Sequence, residues 1–193
     1  MTLTLITPAA GELVTLAEMK EQMRVDHDDD DALITSQIAA ATGYLDGKNG
    51  VLGRCLLTSE WTYQTDGFYG WMPLPFPDVS AVAVTYIDPD GAEQTIDPAL
   101  FEIVARSSET LLRLKPDFTA PALDTSLAEP VKVTFMAGYG AAASDVPASL
   151  VQAVKLLAAH WYENREAVTA GGEMADLPLG VRAIIAPYRM VGV

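Results

Sequence analysis

Apolar positions recur at helical spacing near the start of the chain. Over "VTLAEMKEQMRV", Leu16, Met19 and Met23 fall on one face. Thr15 and Glu18 have the spacing of a capping box, in which each side chain satisfies the other residue's free backbone N–H. Residues 1–14 read as extended. A second helix follows "DHDDDD", with Asp28 or Asp29 as its cap and the other aspartates favouring the positive end of the helix dipole. Its apolar face is Leu33, Ile34, Ile38, Ala41, Tyr44 and Leu45, and Asn49-Gly50 closes a helical hairpin.

The period then shifts from helix to strand. "LTSEWTYQT" alternates, with Leu57, Ser59, Trp61 and Tyr63 on one side and Thr58, Glu60, Thr62 and Gln64 on the other, the pattern of a half-buried strand. "GFYGWMPLPFPDV" reads as loop, because its three prolines oppose regular structure. "SAVAVTYI" is a strand, "DPDG" a tight turn and "AEQTI" the hairpin partner. "LFEIVA", "TLLRLK" and "PVKVTFMAG" are further strands, and "KPDFTAPALDTSLAEP" is a polar loop. Residues 55–137 thus form a mostly antiparallel β-region.

Helical spacing returns after 145. Asp145 is the expected cap and Pro147 suits a first turn. Leu150, Val154, Leu157 and Trp161 make the core stripe, flanked by Val151, Ala158 and Tyr162, and the helix is expected to end near glycines 171–172. "LPLGVRAIIAPYRMVGV" gives one short helix and a tail, with Pro187 stopping the helix. The predicted fold is α+β: a four-helix bundle-like core, two helices from each end of the chain, with an inserted antiparallel β-region. The parts are an N-terminal helical hairpin (1–54), a β-rich insertion (55–140), a third core helix (141–176) and a C-terminal helix with tail (177–193), together one compact domain with an insertion.

Composition narrows the function. Half of the 193 residues are hydrophobic, enough for a packed core. The net charge of −14 repels phosphate, and the twelve Lys and Arg residues are scattered without a basic run, which opposes tight nucleic-acid binding. One cysteine, Cys55, excludes an internal disulfide; among apolar neighbours it reads as a small buried group. No signal peptide is evident and no apolar run has the length of a membrane span, so a soluble protein of a reducing compartment is expected.

Four stretches invite chemistry. "HWYENREA" reads as one helical stretch carrying His160, Tyr162, Glu163, Asn164, Arg165 and Glu166. A metal on His160 and Glu163 would need matching elements on other helices, and the only other histidine is His27. "DHDDDDALITSQ" fails the EF-hand pattern, with Asp31 at position six and Gln37 at position twelve. Gly138-x-Gly140-x-x-Ala143 follows a strand, but the helix begins several residues later and no strand follows, so the glycines read as a turn. No nucleophile-elbow, P-loop or zinc-protease motif occurs, and no cofactor is expected. The composition points to a binding or structural protein rather than an enzyme.

The order of landmarks resembles the head–tail connector (adaptor) family of long-tailed bacteriophages and gene transfer agents. "VTLAEMKEQMRVDHDDDDALITSQIAAATGYLD" resembles that family's N-terminal hairpin, with Met23 in a leucine place. "MPLPFPDVSAVAVTYIDPDGAEQTID" resembles its proline-flanked strand and hairpin. "AGYG" with "VPASLVQAVKLLAAHWYENREA" resembles its third helix, and "LPLGVRAIIAPYR" its C-terminal signature.

The resemblance implies a structural neck protein of the virion, assembled in the bacterial cytoplasm. It implies a ring, commonly of twelve copies, under the portal protein, with stopper or tail proteins on the opposite face. Double-stranded DNA would pass through without specific binding, and no membrane is involved. The alternatives are a stopper or tail-completion protein and, from another class, a nucleotide- or metal-binding enzyme. The implied portal-docking segment is the tail, with Pro187, Tyr188, Arg189, Met190 and Val191. The chain after Gly172 is its least acidic part, with Arg182 and Arg189 against Glu173 and Asp176. Residues 178–186 fit either docking or packing on their own bundle. Phe68, Tyr69 and Trp71 in the aromatic loop, and Arg165, are the candidate contacts to a neighbouring subunit or neck protein, although the aromatics equally suit the β-region's own core.

Overall fold

The structure, a computed structural model, describes residues 2–106, 109–164 and 178–190. The chain divides into two compact units, and among the described residues it crosses between them three times, at 10/11, 56/57 and 139/140.

The helical unit begins with α1 (Leu16–Met23), which starts at Thr15 with both halves of the capping box formed. It ends at Arg24, whose left-handed backbone returns its N–H to the carbonyls of Lys20 and Glu21. Helix α2 (Asp31–Leu45) buries Ile34, Ala41 and Leu45. Its cap is Asp30 rather than Asp28 or Asp29, and no side chain caps it. Two of these carboxylates are held by Lys20, whose ammonium bonds Asp28 at 2.6 Å and Asp31 at 2.7 Å, and that of Asp30 accepts the Tyr162 hydroxyl. The aspartates are thus drawn to a cation on α1 as well as to a helix end.

Helix α3 (Ala148–Glu163) buries Leu150, Ala153, Val154, Leu157 and Ala158 against α2. Its N-cap is Pro147 rather than Asp145. Asp145 instead closes a short 3₁₀ turn, its carboxylate accepting the Ala142 N–H at 3.0 Å. The helix stops at Glu163, short of glycines 171–172, where the Asn164 side chain donates back to the His160 carbonyl at 2.8 Å. Helix α4 (Leu179–Ile185) packs on α3 through Val181 and Ile185, and a 3₁₀ turn containing Pro187 follows. The four-helix core, two helices from each end of the chain, is as the sequence predicts.

Among the described residues, the β-rich unit holds eight strands in two sheets. The first five-stranded sheet contains β1 (Thr2–Thr7), β2 (Ser59–Thr65), β4 (Val79–Ile87), β5 (Glu93–Thr95) and β8 (Val131–Ala137), in the order β1-β2-β8-β4-β5. The second orders β3 (Trp71–Leu74), β7 (Thr110–Leu114) and β6 (Phe101–Ala105) as β3-β7-β6. Every described pairing is antiparallel. The extended N-terminus is therefore a strand of this unit.

Two sequence expectations change here. β2 is not half-buried in clean alternation: Ser59, Tyr63 and Thr65 are buried on one side and Thr62 on the other, because β1 and β8 flank it. The proline-rich stretch is not all loop. Pro73 lies inside β3, opposite Leu111. The Leu114 N–H bonds the Gly70 carbonyl, so along this ladder the residues facing β7 are 70, 72 and 74. Pro73 faces the open edge, where no N–H is needed.

The Asp88–Gly91 turn is fixed by the Asp88 carboxylate, which accepts the Asp90 and Ala92 N–H groups, and by Gly91 at φ 81. The aromatic core of the unit stacks Phe76, fully buried, against Trp61 at 4.8 Å and Phe135 at 6.3 Å.

Candidate functional site

The aromatic stretch 68–71 divides its work. Phe68 belongs to the unit's own surface packing, its ring 5.8 Å from Tyr86 and 5.1 Å from Phe118. Tyr69 is exposed and donates its hydroxyl to Asp66 at 2.8 Å. That bond, with another from Thr65, holds the Asp66 carboxyl below its ordinary range and pushes the Tyr69 hydroxyl up.

Trp71 is 49% exposed. The strand register places Trp71, Arg113 and Glu102 in one row across the three-stranded sheet. The Arg113 guanidinium lies 5.1 Å from the Trp71 ring and bonds Glu102 at 2.9 Å. A large aromatic face is thereby held open to solvent on a rigid strand, with a neutralised ion pair at its rim. Such a surface offers apolar contact area at little entropic cost.

The C-terminal segment is tied to its own helical unit. Tyr188 accepts the Ser149 hydroxyl at 3.0 Å. The Arg189 Nε donates to the Val51 carbonyl at 3.3 Å, and the Met190 N–H to the Leu52 carbonyl at 2.8 Å. Met190 also covers Gly53, which takes φ 68; a Cβ there would lie 3.0 Å from the Met190 Cβ. Pro187 and Arg189 are exposed, and Tyr188 and Met190 half-buried. For residues 178–186, buried Val181 and Ile185 put α4 on its own bundle. Val191 and Arg165 lie outside the described residues.

The stretches that invited catalysis have structural partners. His160 is exposed, at the last turn of α3, beside the Asn164 amide at 3.2 Å. Tyr162 donates to the Asp30 carboxylate, joining α3 to the start of α2. Gly138 takes φ 138, and a Cβ there would meet the Leu57 carbonyl carbon at 2.7 Å. Gly140 leaves room for the Asp145 carboxylate. Gly138 therefore serves a close backbone approach, and Gly140 makes room for a side chain. Among the described residues, no group of three His, Cys, Asp or Glu converges.

The outer face of the five-stranded sheet carries two shallow hollows of about 320 and 350 Å³, both lined by Gln64 and Lys132. Lys132 is engaged by Glu93 at 2.8 Å, which holds the Glu93 carboxyl below its ordinary range. Threonines line the rest of the second hollow with Ile6 and Glu60, so it offers hydrogen bonds but no cluster of charge. No described helix is long and apolar enough to cross a membrane.

Sequence reasoning missed β1 as a sheet edge. Its signal was the alternation in "TLTLIT", read only as extended. The Trp71–Arg113–Glu102 row was also missed, because register is not visible along one strand.

The fold is shared with proteins of solved structures. The chain is 28% identical to a protein in the neck of an empty gene transfer agent (GTA) particle, computed with C6 symmetry, with a TM-score of 0.79. It is 27% identical to a protein of the virion of a native GTA particle, with a TM-score of 0.78. In the neck of a native GTA particle, computed with C12 symmetry, the identity is 26% and the TM-score 0.77. Each likeness covers 100% of this chain and 97% of the other. No curated protein matches the chain. The head completion protein family matches residues 12–191. Among the described residues, that span takes in all four α-helices and seven of the eight strands, and the chain belongs to the head completion protein family, a family of structural proteins.

Proposed function

We propose that this protein is a head–tail connector, a structural neck protein of a phage or gene transfer agent particle. One observation carries the reading: the likeness to GTA neck proteins covers all of this chain and 97% of the other, helices and sheets alike. The protein forms a ring, of twelve copies in the simplest case, beneath the portal protein, and receives the stopper or tail on its other face. The particle is assembled in the bacterial cytoplasm.

The chain's charge suits a conduit. With 26 acidic against 12 basic residues, a lumen lined by this protein repels the phosphate backbone, and DNA slides instead of sticking. The C-terminal segment, with exposed Pro187 and Arg189, is the portal-docking element. Trp71 and its neighbours Phe68 and Tyr69 form the contact to an adjoining subunit or neck protein, and Arg165 contributes to that contact.

The experiment mixes the chain with the portal protein encoded beside it, isolates portal rings by size and images them. Extra ring density that disappears when the chain is truncated after Ala186 supports both the connector role and the docking element. Density that survives truncation keeps the role and moves the anchor elsewhere. A portal that never captures the full chain, with or without packaged DNA, sinks the connector reading in favour of a stopper.

A further inference from the structure

The two sheets of the β-rich unit end in four strand edges: β1 and β5 on one, β3 and β6 on the other. An open edge presents unpaired main-chain donors and acceptors, and proteins that keep such edges solitary blunt them with charge, proline or shortness. Two of the four are blunted. β5 is only three residues long, and β3 turns Pro73 to its open side.

The other two are not, apart from one register shift near the end of β1, between Leu5 and Thr7. β1 reads Thr-Leu-Thr-Leu-Ile-Thr, with no charge, proline or glycine. The Ile87 N–H bonds the Pro130 carbonyl, so even-numbered residues of β8 face β4. Following the registers across β2, the main-chain groups of Leu3 and Leu5 then point to open solvent. Leu5 and Ile6 are 44% and 53% exposed.

β6 behaves alike. The Lys115 N–H bonds the Leu100 carbonyl, so Ile103 and Ala105 point their main-chain groups away from β7. No described residue pairs with them there. Ile103 is 39% exposed, and the one charge of the strand, Glu102, is already paired with Arg113.

We propose that β1 of one copy adds to β6 of a neighbouring copy, joining subunits edge to edge. Copies of a chain with net charge −14 repel one another, and pairing through these uncharged edges adds nothing to that repulsion. Both edges expose main-chain groups at two-residue spacing, Leu3 and Leu5 against Ile103 and Ala105, and both flank them with apolar side chains. The two edges are different strands, so the contact is head-to-tail and propagates around a ring instead of stopping at a dimer. The inference rests on the ring reading above.

The test uses full-length Leu5→Cys and Ile103→Cys variants with a short bis-maleimide, the unmodified chain controlling for buried Cys55. Cross-linking is read at high concentration in solution and on chain captured by portal rings. Mixed single variants should give a dimer, and the double variant a ladder. Absence of the mixed link in both settings, or a link between two Leu5→Cys copies alone, overturns the pairing. Leu5→Lys should keep the wild-type melting temperature and lose self-association; unchanged assembly would also overturn it. Portal capture of the unmodified chain is scored separately, so a failed connector reading and a failed edge pairing give different results.

Discussion

The main-chain N–H of Met190 bonds the carbonyl of Leu52, 2.8 Å away, and the Met190 side chain covers the bare Cα of Gly53. The segment proposed to dock on the portal is thus strapped across the turn that follows α2. Gly53→Ala would force a side chain onto left-handed backbone and against Met190. It should cost about 1–2 kcal/mol in urea unfolding. A Gly53→Ala protein as stable as wild type would show that the strap is not held in solution.

The capping box predicts a pH dependence. The Thr15 backbone N–H and hydroxyl bond the Glu18 carboxylate and hold its pKa below the ordinary value. A carboxyl with a lowered folded-state pKa adds stability above its unfolded pKa and loses it as pH falls through the lowered value. Thr15→Ala should cost about 1 kcal/mol at neutral pH. The difference from wild type should narrow in acid, as read from melts at several pH values.

Asp46 has the opposite sign. Its carboxylate accepts the Leu56 N–H at 2.6 Å in a largely buried site, and burial raises its pKa despite that bond. A raised folded-state pKa means that stability is fully present below the unfolded carboxylate pKa and declines as pH rises through the raised value. Asp46→Asn keeps an acceptor without the buried charge, and should remove that decline without loss at pH 7. Asp46→Ala orphans the Leu56 N–H and should cost about 1–3 kcal/mol. Equal behaviour of the two variants in denaturant titrations would contradict this account.

Trp71→Ala separates folding from assembly. The side chain is half exposed and its partner Arg113 keeps Glu102, so unfolding should change by about 1 kcal/mol or less. Ring or neck assembly on portal should fall sharply if this face is an interface. Full assembly by the variant would return the tryptophan to a merely local role.

Gly138→Ala should be among the most damaging single changes. The new Cβ would lie 2.7 Å from the carbonyl carbon of Leu57, and no flexible side chain can yield there. Poor expression or a melting temperature lowered by many degrees is expected, against a near-neutral Gly67→Ala, which meets nothing within 4 Å.

Much of this fold was legible because local signals agreed with the tertiary result. The Thr15–Glu18 spacing, the apolar stripe of α3 and the Asp88–Gly91 turn each name their structure from a few residues. The misreadings came where a distant residue decides. Lys20, on another helix, claims Asp28 and Asp31. Pro73 enters a strand because an open edge asks nothing of its nitrogen. β2 departs from clean alternation because a strand from the N-terminus pairs with its second edge. The exposed tryptophan could be suspected from its loop, but its place in a row with Arg113 and Glu102 required the register.

The three crossings between the units have a mechanical meaning. The N-terminal strand belongs to the β-rich unit while the chain on either side of Leu56 and Tyr139 changes unit again. Tension applied to one unit is therefore divided among three covalent tethers instead of loading a single linker. A protease cut at any one of them leaves both halves attached, and neither unit corresponds to one uninterrupted stretch of chain that could be expressed alone. That redundancy of attachment comes from chain routing alone.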